Sequence, residues 1–222
     1  MKIIKPSFEI QSPFGPVDRE MGIQMLRFTE KQARISHRAE DQQTDTSWER
    51  FIKAVVIDHG DWSVVEHVSL TVVFRVDRGV THELVRHRLF SFTQESTRFV
   101  NGAKKYPTGL EFIRPVDLEV GSWDWETSLE VIEKVYLNLL KDGARPQEAR
   151  SVLPNALAAT IAVTGNLRNW RHFLLMRTSK ETHPDFRAIT IPLLEQFKQL
   201  IPILFDDIQP NERQVDNLKK PR

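Results

Sequence analysis

Between Val68 and Asp77 the chain alternates: Val68, Leu70, Val72, Phe74 and Val76 are apolar, and Ser69, Thr71, Val73, Arg75 and Asp77 fall between them. A period of two is that of a strand with one face buried, so this chain must build a sheet. Helical spacing stands on both sides of it. Upstream, Trp48, Phe51, Ile52, Val55 and Val56 recur at helical intervals within Thr44 to Gly60, with Thr46 or Ser47 to cap and Gly60 to stop. Downstream, Gly79 is read as the break, and Val80 to Phe90 returns to helical spacing. Ser122 to Gly143 reads as a long helix with Leu129, Ile132, Val135, Tyr136, Leu139 and Leu140 as its apolar stripe. Pro146 can start a short helix that Pro154 ends, and Ala158 to Val163 reads as a strand. Leu167 to Arg177 reads as an arginine-rich helix, and Pro184 to Phe205 as a last helical region containing Pro192 and Pro202. Strands and helices do not alternate regularly. The expected class is therefore α+β, with a mostly antiparallel central sheet flanked by helices, not a doubly wound fold. A length of 222 residues fits a single domain over residues 1–208, with the two ends as unstructured candidates and Gln209 to Arg222 as a polar tail.

What the chain lacks narrows its chemistry. With no cysteine, disulfides, cysteine-ligated zinc or iron–sulfur centres, and attack by a thiolate are all excluded. No two of its nine glycines are spaced Gly-x-Gly, so neither a dinucleotide fingerprint nor a phosphate-cradling Gly-rich loop can be written. The 31 basic and 30 acidic side chains nearly cancel, which gives no global reason to expect nucleic acid or an anionic membrane as partner. No stretch approaches the ~18 apolar residues of a membrane span, and the start has no signal-peptide run, so the expected address is the cytoplasm.

Four segments could carry chemistry. His82-Glu83-Leu84-Val85-Arg86-His87 looks like a zinc-protease helix, but its histidines stand five apart. On a helix that leaves them ~140° apart, so no metal site is expected. Arg86-His87-Arg88 is followed by Ser91, Thr93, Gln94, Glu95, Ser96, Thr97 and Arg98, interleaved with Phe90, Phe92 and Phe99. Guanidinium forks grip phosphate while hydroxyls and amides read a base edge, so the mix suits a phosphorylated aromatic ligand. A solvated basic helix end is the bland alternative, but five basic residues against one acid between Leu84 and Lys105 give a local +4 that favours an anion site. Arg150, between apolar neighbours and just before Pro154, is expected to be partly buried and to need an anionic partner. In Asn166 to Lys180, Trp170, Phe173 and Leu174 take one side of a helix, with Arg168, His172 and Arg171 on the others.

Arg86-His87-Arg88, seven residues and then Ser96 resembles the signature of the flavin-dependent thymidylate synthases. His59 to His67, Ala149-Arg150-Ser151-Val152-Leu153-Pro154 and Asn166 to Arg177 fall in that family's order and spacing, so the resemblance runs from about Ala33 to Phe205. It implies methylation of dUMP at C5 to give dTMP, with methylenetetrahydrofolate as one-carbon donor and hydride from FAD that NADPH has reduced. It also implies a homotetramer with active sites shared between subunits. By the same resemblance Ser63, Arg86, His87, Arg88, Gln94, Asn166, Arg168 and His172 would contact FAD, with Ser36 as a further contact. Glu83, Arg86, Gln94, Glu95, Ser96, Thr97, Arg98, Arg150 and Arg177 would line dUMP. Arg177 would act in catalysis by stabilising negative charge on the uracil, and Ser96 would be a phosphate ligand and not a nucleophile, since no adjacent base activates it. The chain departs from the family's commonest pattern at Asp61, Gln94, Phe99, His172 and Thr182 to Arg187. Two other readings stay open: a single-stranded nucleic acid binder using the same arginines and phenylalanines, and an inactive relative with the same fold.

Overall fold

The computed structural model describes residues 1–15, 17–119 and 121–210. Most of the tail expected from Gln209 lies outside the described residues. In chain order the elements are β1 (Lys2–Ile4), β2 (Ser7–Gln11), α1 (Arg19–Arg34), α2 (Ser47–Phe51), β3 (Ser69–Asp77) and α3 (Arg78–Leu84). There follow β4 (Ser91–Gln94), α4 (Gly102–Lys105), β5 (Glu111–Ile113), α5 (Ser122–Lys141) and α6 (Pro146–Ala149). The chain closes with β6 (Ala158–Asn166), α7 (Leu167–Arg177) and α8 (Pro184–Leu200). A four-stranded antiparallel sheet has the order β2-β3-β6-β4, as expected for α+β.

A second, parallel pair joins β1 to β5, in the register Lys2↔Glu111, Ile3↔Phe112, Ile4↔Ile113. The N-terminal end is thus a strand, against the expectation that it is unstructured. Its backbone finds a partner in Leu110, whose carbonyl accepts from Lys2 N at 2.8 Å, and the Met1 amine pairs with Glu133 at 2.7 Å.

Three other expectations are corrected. The helix read over Thr44 to Gly60 is α2 for five residues and then takes π pitch over Ile52–Asp58, where His59 N donates to Ala54 O at 3.0 Å. Gly79 does not break β3. The strand ends two residues earlier because the Asp77 carboxylate accepts from Val80 N at 3.0 Å and caps α3, which includes Gly79. Nor does that helix reach Phe90: α3 ends at Leu84, and Arg86, His87 and Arg88 lie in the turns that lead back to β4. Beyond these, β6 runs on to Asn166, and α8 stops at Leu200 with Pro192 inside and Pro202 outside.

The chain divides into two compact units, and β3 and β6 each contribute residues to both. Unit one comprises Met1–Phe8, Val73–Arg86 and Phe92–Ala162; unit two comprises Glu9–Val72, His87–Ser91 and the chain from Val163 onward. One core cluster of unit one is Leu110, Phe112, Leu129, Tyr136, Ala149 and Leu157. Unit two is built on aromatic edges: Trp170 meets Phe173 at 5.5 Å and Phe90 at 4.7 Å, and Phe173 meets Phe186 at 5.8 Å. Phe90 can approach only because residue 165 is glycine, where a Cβ would come within 2.4 Å of its ring. Arg171, expected on an open face of its helix, is buried instead: it donates to Asp207 and to the Leu204 carbonyl and lies 4.4 Å over the Trp62 ring.

Candidate functional site

Unit one holds most of the residues that the resemblance assigns to the nucleotide. Glu83 is half-buried on α3, and Arg86 is exposed in the following turn, its N–H donating to the Glu83 carbonyl at 3.2 Å. Gln94 ends β4 and donates through Nε2 to the Thr81 hydroxyl at 3.1 Å. Past Gln94 the chain leaves the sheet, and Ser96, Thr97 and Arg98 follow one another in a turn where Arg98 N donates to Ser96 Oγ at 3.2 Å. The Arg98 guanidinium reaches Gln147 at 3.3 Å and lies 5.0 Å over the exposed Phe99 ring. Arg150 is exposed, not partly buried: the short turn it begins puts the neighbouring Ala149 on the inside. Its Nη1 donates to the Thr97 hydroxyl at 3.3 Å. The Glu95 carboxylate is directed inward to Arg75 and Tyr106.

A residue missed at the sequence level stands among these. Arg78, at the start of α3, shares a small cavity of about 20 Å³ with Glu95 and Thr97, and its buried Nη1 finds no hydrogen-bond partner among the described residues. Burial, then the charge of nearby Arg150, hold its pKa below the usual arginine range, with Glu95 in partial opposition. A half-buried guanidinium with one buried, unused donor suits an anion. The motif that could have flagged it is Asp77-Arg78, a cap followed at once by a cation at the start of a helix.

Unit two gathers His87 and Arg177. Arg177 ends α7, lies 5.1 Å over the Phe186 ring, and accepts the Thr190 hydroxyl on its carbonyl at 2.7 Å. Its Nε donates to His87 Nε2 at 2.8 Å. Burial first, then the charges of Arg177 and His172, push the His87 pKa from 6.5 down to about 4. The imidazole is therefore neutral at physiological pH, with its proton on Nδ1 and Nε2 free to accept. His172 is exposed on the preceding turn of α7. Asn166 caps α7 by accepting from Asn169 N at 2.8 Å, and Asn169 in turn donates to the Leu89 carbonyl at 3.1 Å, fixing the turn that carries the exposed Arg88. Arg168 pairs with Glu66, which shares a 3-10 turn with the exposed Ser63. Both partners are open to water, so that pair is worth about 0–1 kcal/mol and a phosphate can replace it.

Unit two also contains a cavity of about 450 Å³, whose wall includes Ser36 and Asp61 together with Arg34, His37, His59 and Val64. His59 Nδ1 stands 3.2 Å from the Asp61 carboxylate. As residue types within unit two, Arg88 and Arg168, the hydroxyls of Ser36 and Ser63, and this cavity, of which only Ser36 is a wall residue, are those a dinucleotide needs: arginine for a diphosphate, volume for a ring.

A family model described as thymidylate synthase complementing protein matches residues 21–203. A flavin-dependent thymidylate synthase of Corynebacterium efficiens is 37% identical over 170 residues, which cover 69% of this chain and 67% of that protein. The enzyme of the same name from Mycobacterium tuberculosis is 35% identical over 168 residues, and that of Sulfurisphaera tokodaii 35% over 180. Among solved structures, a UMP/dUMP methylase from Streptomyces cacaoi bound with 5-Br dUMP superposes with a TM-score of 0.71 over 93% of this chain and 96% of that one, at 22% identity. That likeness concerns the fold. Among the described residues no helix is long and apolar enough to cross a membrane.

Proposed function

The chain belongs to the flavin-dependent thymidylate synthase family, and from that premise we propose that it converts dUMP to dTMP with FAD as bound cofactor, methylenetetrahydrofolate as one-carbon donor and NADPH as reductant. Bound FAD supplies, once reduced, the hydride that the methyl group needs. The chain's own residues do the rest. Ser96, Thr97, Arg98 and Arg150, with Arg78 beside them, take the nucleotide phosphate, while Glu83, Arg86, Gln94 and the backbone at Glu95 complete the nucleotide's surroundings. Arg88, Arg168, Asn166, Ser63 and His172 hold the cofactor, joined by Arg86 and Gln94, and Ser36 extends that set. His87 meets the cofactor through Nδ1, because its Nε2 is engaged by Arg177.

The observation that carries this reading is the pair His87–Arg177. Methylation at C5 needs electron density on a ring carbon, and a fixed cation beside the uracil stabilises the charge that builds up on the pyrimidine edge. A neutral imidazole that accepts from Nε orients the guanidinium before substrate arrives without itself placing a negative charge beside it. No thiolate is required, in keeping with a chain that has none. Purified protein should show a flavin absorption band and form dTMP from dUMP, methylenetetrahydrofolate and NADPH. Arg177→Ala should abolish dTMP formation, a loss of at least about a hundredfold in kcat, while the flavin band remains. Protein that neither takes up added FAD nor oxidises NADPH overturns the reading.

A further inference from the structure

Residues 96–105 of unit one, which include Ser96, Thr97 and Arg98, follow Glu95 just beyond the end of β4 and return to the framework at Tyr106. These two ends are tied directly to each other. The Tyr106 hydroxyl donates to Glu95 Oε1. The other carboxylate oxygen of Glu95 accepts from Arg75 Nη1 at 2.8 Å and from Thr160 N at 3.3 Å, while Glu95 N donates to the Thr160 carbonyl at 2.8 Å. Arg75 continues the chain of contacts: Nη2 reaches the Tyr106 hydroxyl at 3.3 Å and Glu111 at 2.6 Å, and its guanidinium lies 5.7 Å over the Tyr106 ring. One guanidinium on β3 therefore joins β5 to both ends of the loop. The side chains of Arg75 and Glu95 are 18% and 20% exposed, so solvent screens these contacts far less than a surface pair.

Inside the loop the ties made by side chains of the segment are longer, though Val100 N reaches the Ser96 carbonyl at 3.0 Å. Arg98 N meets Ser96 Oγ at 3.2 Å, Arg150 meets Thr97 at 3.3 Å, and Asn101 caps α4 at 3.2 Å. Further on, Gly102 N donates to the buried Tyr136 hydroxyl at 3.0 Å and Tyr106 N to the Gly102 carbonyl at 2.9 Å, so the stretch that carries Ser96, Thr97 and Arg98 takes its course from Glu95 on one side and from this anchored end on the other. Burial, reinforced by the bond to Glu95, raises the Tyr106 pKa despite the opposing effect of Arg75, so the hydroxyl keeps its proton and stays a donor.

We propose that Arg75, Glu95 and Tyr106 form a clamp that fixes both ends of residues 96–105 and so sets the placement of Ser96, Thr97 and Arg98 for a nucleotide phosphate. The three are positioning residues, and the Glu95 side chain serves the loop and not the ligand. The inference rests on the nucleotide reading above. Preorganisation of this kind lowers the ordering cost of binding and leaves the chemical step alone.

Tyr106→Phe removes the hydroxyl and keeps the ring beneath Arg75. Two measurements on the flavin-loaded protein test the clamp: amide hydrogen exchange of peptides covering residues 96–105 without ligand, and steady-state kinetics with dUMP. Exchange should accelerate within that segment alone, and KM for dUMP should rise about tenfold. The turnover number should stay within about twofold of wild type. Glu111→Gln, which loosens Arg75 from its far side, should move both readings the same way by less, and it carries the test alone if Tyr106→Phe fails to fold. Unchanged exchange in the segment overturns the proposal, and so does faster exchange with KM unaltered. If the wild-type protein does not turn over dUMP, the nucleotide reading has failed, and inorganic phosphate then judges the clamp. Protection of residues 96–105 by phosphate that is weaker in Tyr106→Phe sustains it, and equal protection in both proteins overturns it.

Discussion

His87 shows how one side chain can be set by its surroundings. Its Nε2 accepts from Arg177, and its ring meets Phe173 edge-on at 4.9 Å. Folding lowers its pKa from 6.5 to about 4, chiefly by burial and then by the charges of Arg177 and His172. Between those two values the unfolded chain binds a proton that the folded chain does not. Stability is therefore complete above about pH 6.5 and is lost progressively as pH falls toward 4. The thermal midpoint should drop over that window, and His87→Gln, which can still accept from Arg177 but does not titrate, should flatten the drop. A midpoint with the same pH dependence in both proteins would remove His87 as its source. In catalysis the two substitutions should separate as well: His87→Gln should keep more of kcat than His87→Leu, which leaves Arg177 Nε without its acceptor.

At the scale of elements, the turn between α3 and β4 owes its shape to the far end of β6. A methyl group at residue 165 would lie 2.4 Å from the Phe90 ring, and that ring already meets Trp170 at 4.7 Å. Gly165→Ala should cost about 1–3 kcal/mol, measured by urea unfolding, since the core can neither compress nor shed the ring. Adding Phe90→Leu should recover part of the loss. The same comparison separates what could be read in the chain from what could not. The alternation of β3 and the stripe of α7 were legible because each pattern is set within a few residues by the period of its own element, whereas the α5 stripe was right only in part: Val135 is exposed, and Glu133 is buried because it pairs with the Met1 amine. The arginines and hydroxyls of the site were legible as residue types within short motifs. The burial of Arg171 was not, because Asp207 lies 36 residues further along. Likewise β1 became a strand through β5, and the Glu95 side chain turned inward through Arg75 and Tyr106, partners that periodicity does not reveal. Asp77 hid the true start of α3, since a capping carboxylate lets a helix begin before a glycine that otherwise reads as a stop.

At the scale of the whole molecule, the proposed nucleotide ligands stand mostly in unit one and the proposed cofactor ligands mostly in unit two, with Arg177 in the latter. We expect the active enzyme to be a homotetramer in which sites are completed by neighbouring subunits. Sedimentation should then report a particle four times the 25.8 kDa chain. Dilution below the dissociation range should remove bound flavin and activity together; a fully active monomer would exclude shared sites. The π-pitched stretch Ile52–Asp58 matters when this chain is set beside others in descent. A π turn holds one residue more than an α turn, so a chain of α pitch would need one residue fewer to bring His59 and Asp61 to the same wall. A single-position gap at this point in a comparison of sequences then marks a change of winding, inherited without the loss of any loop.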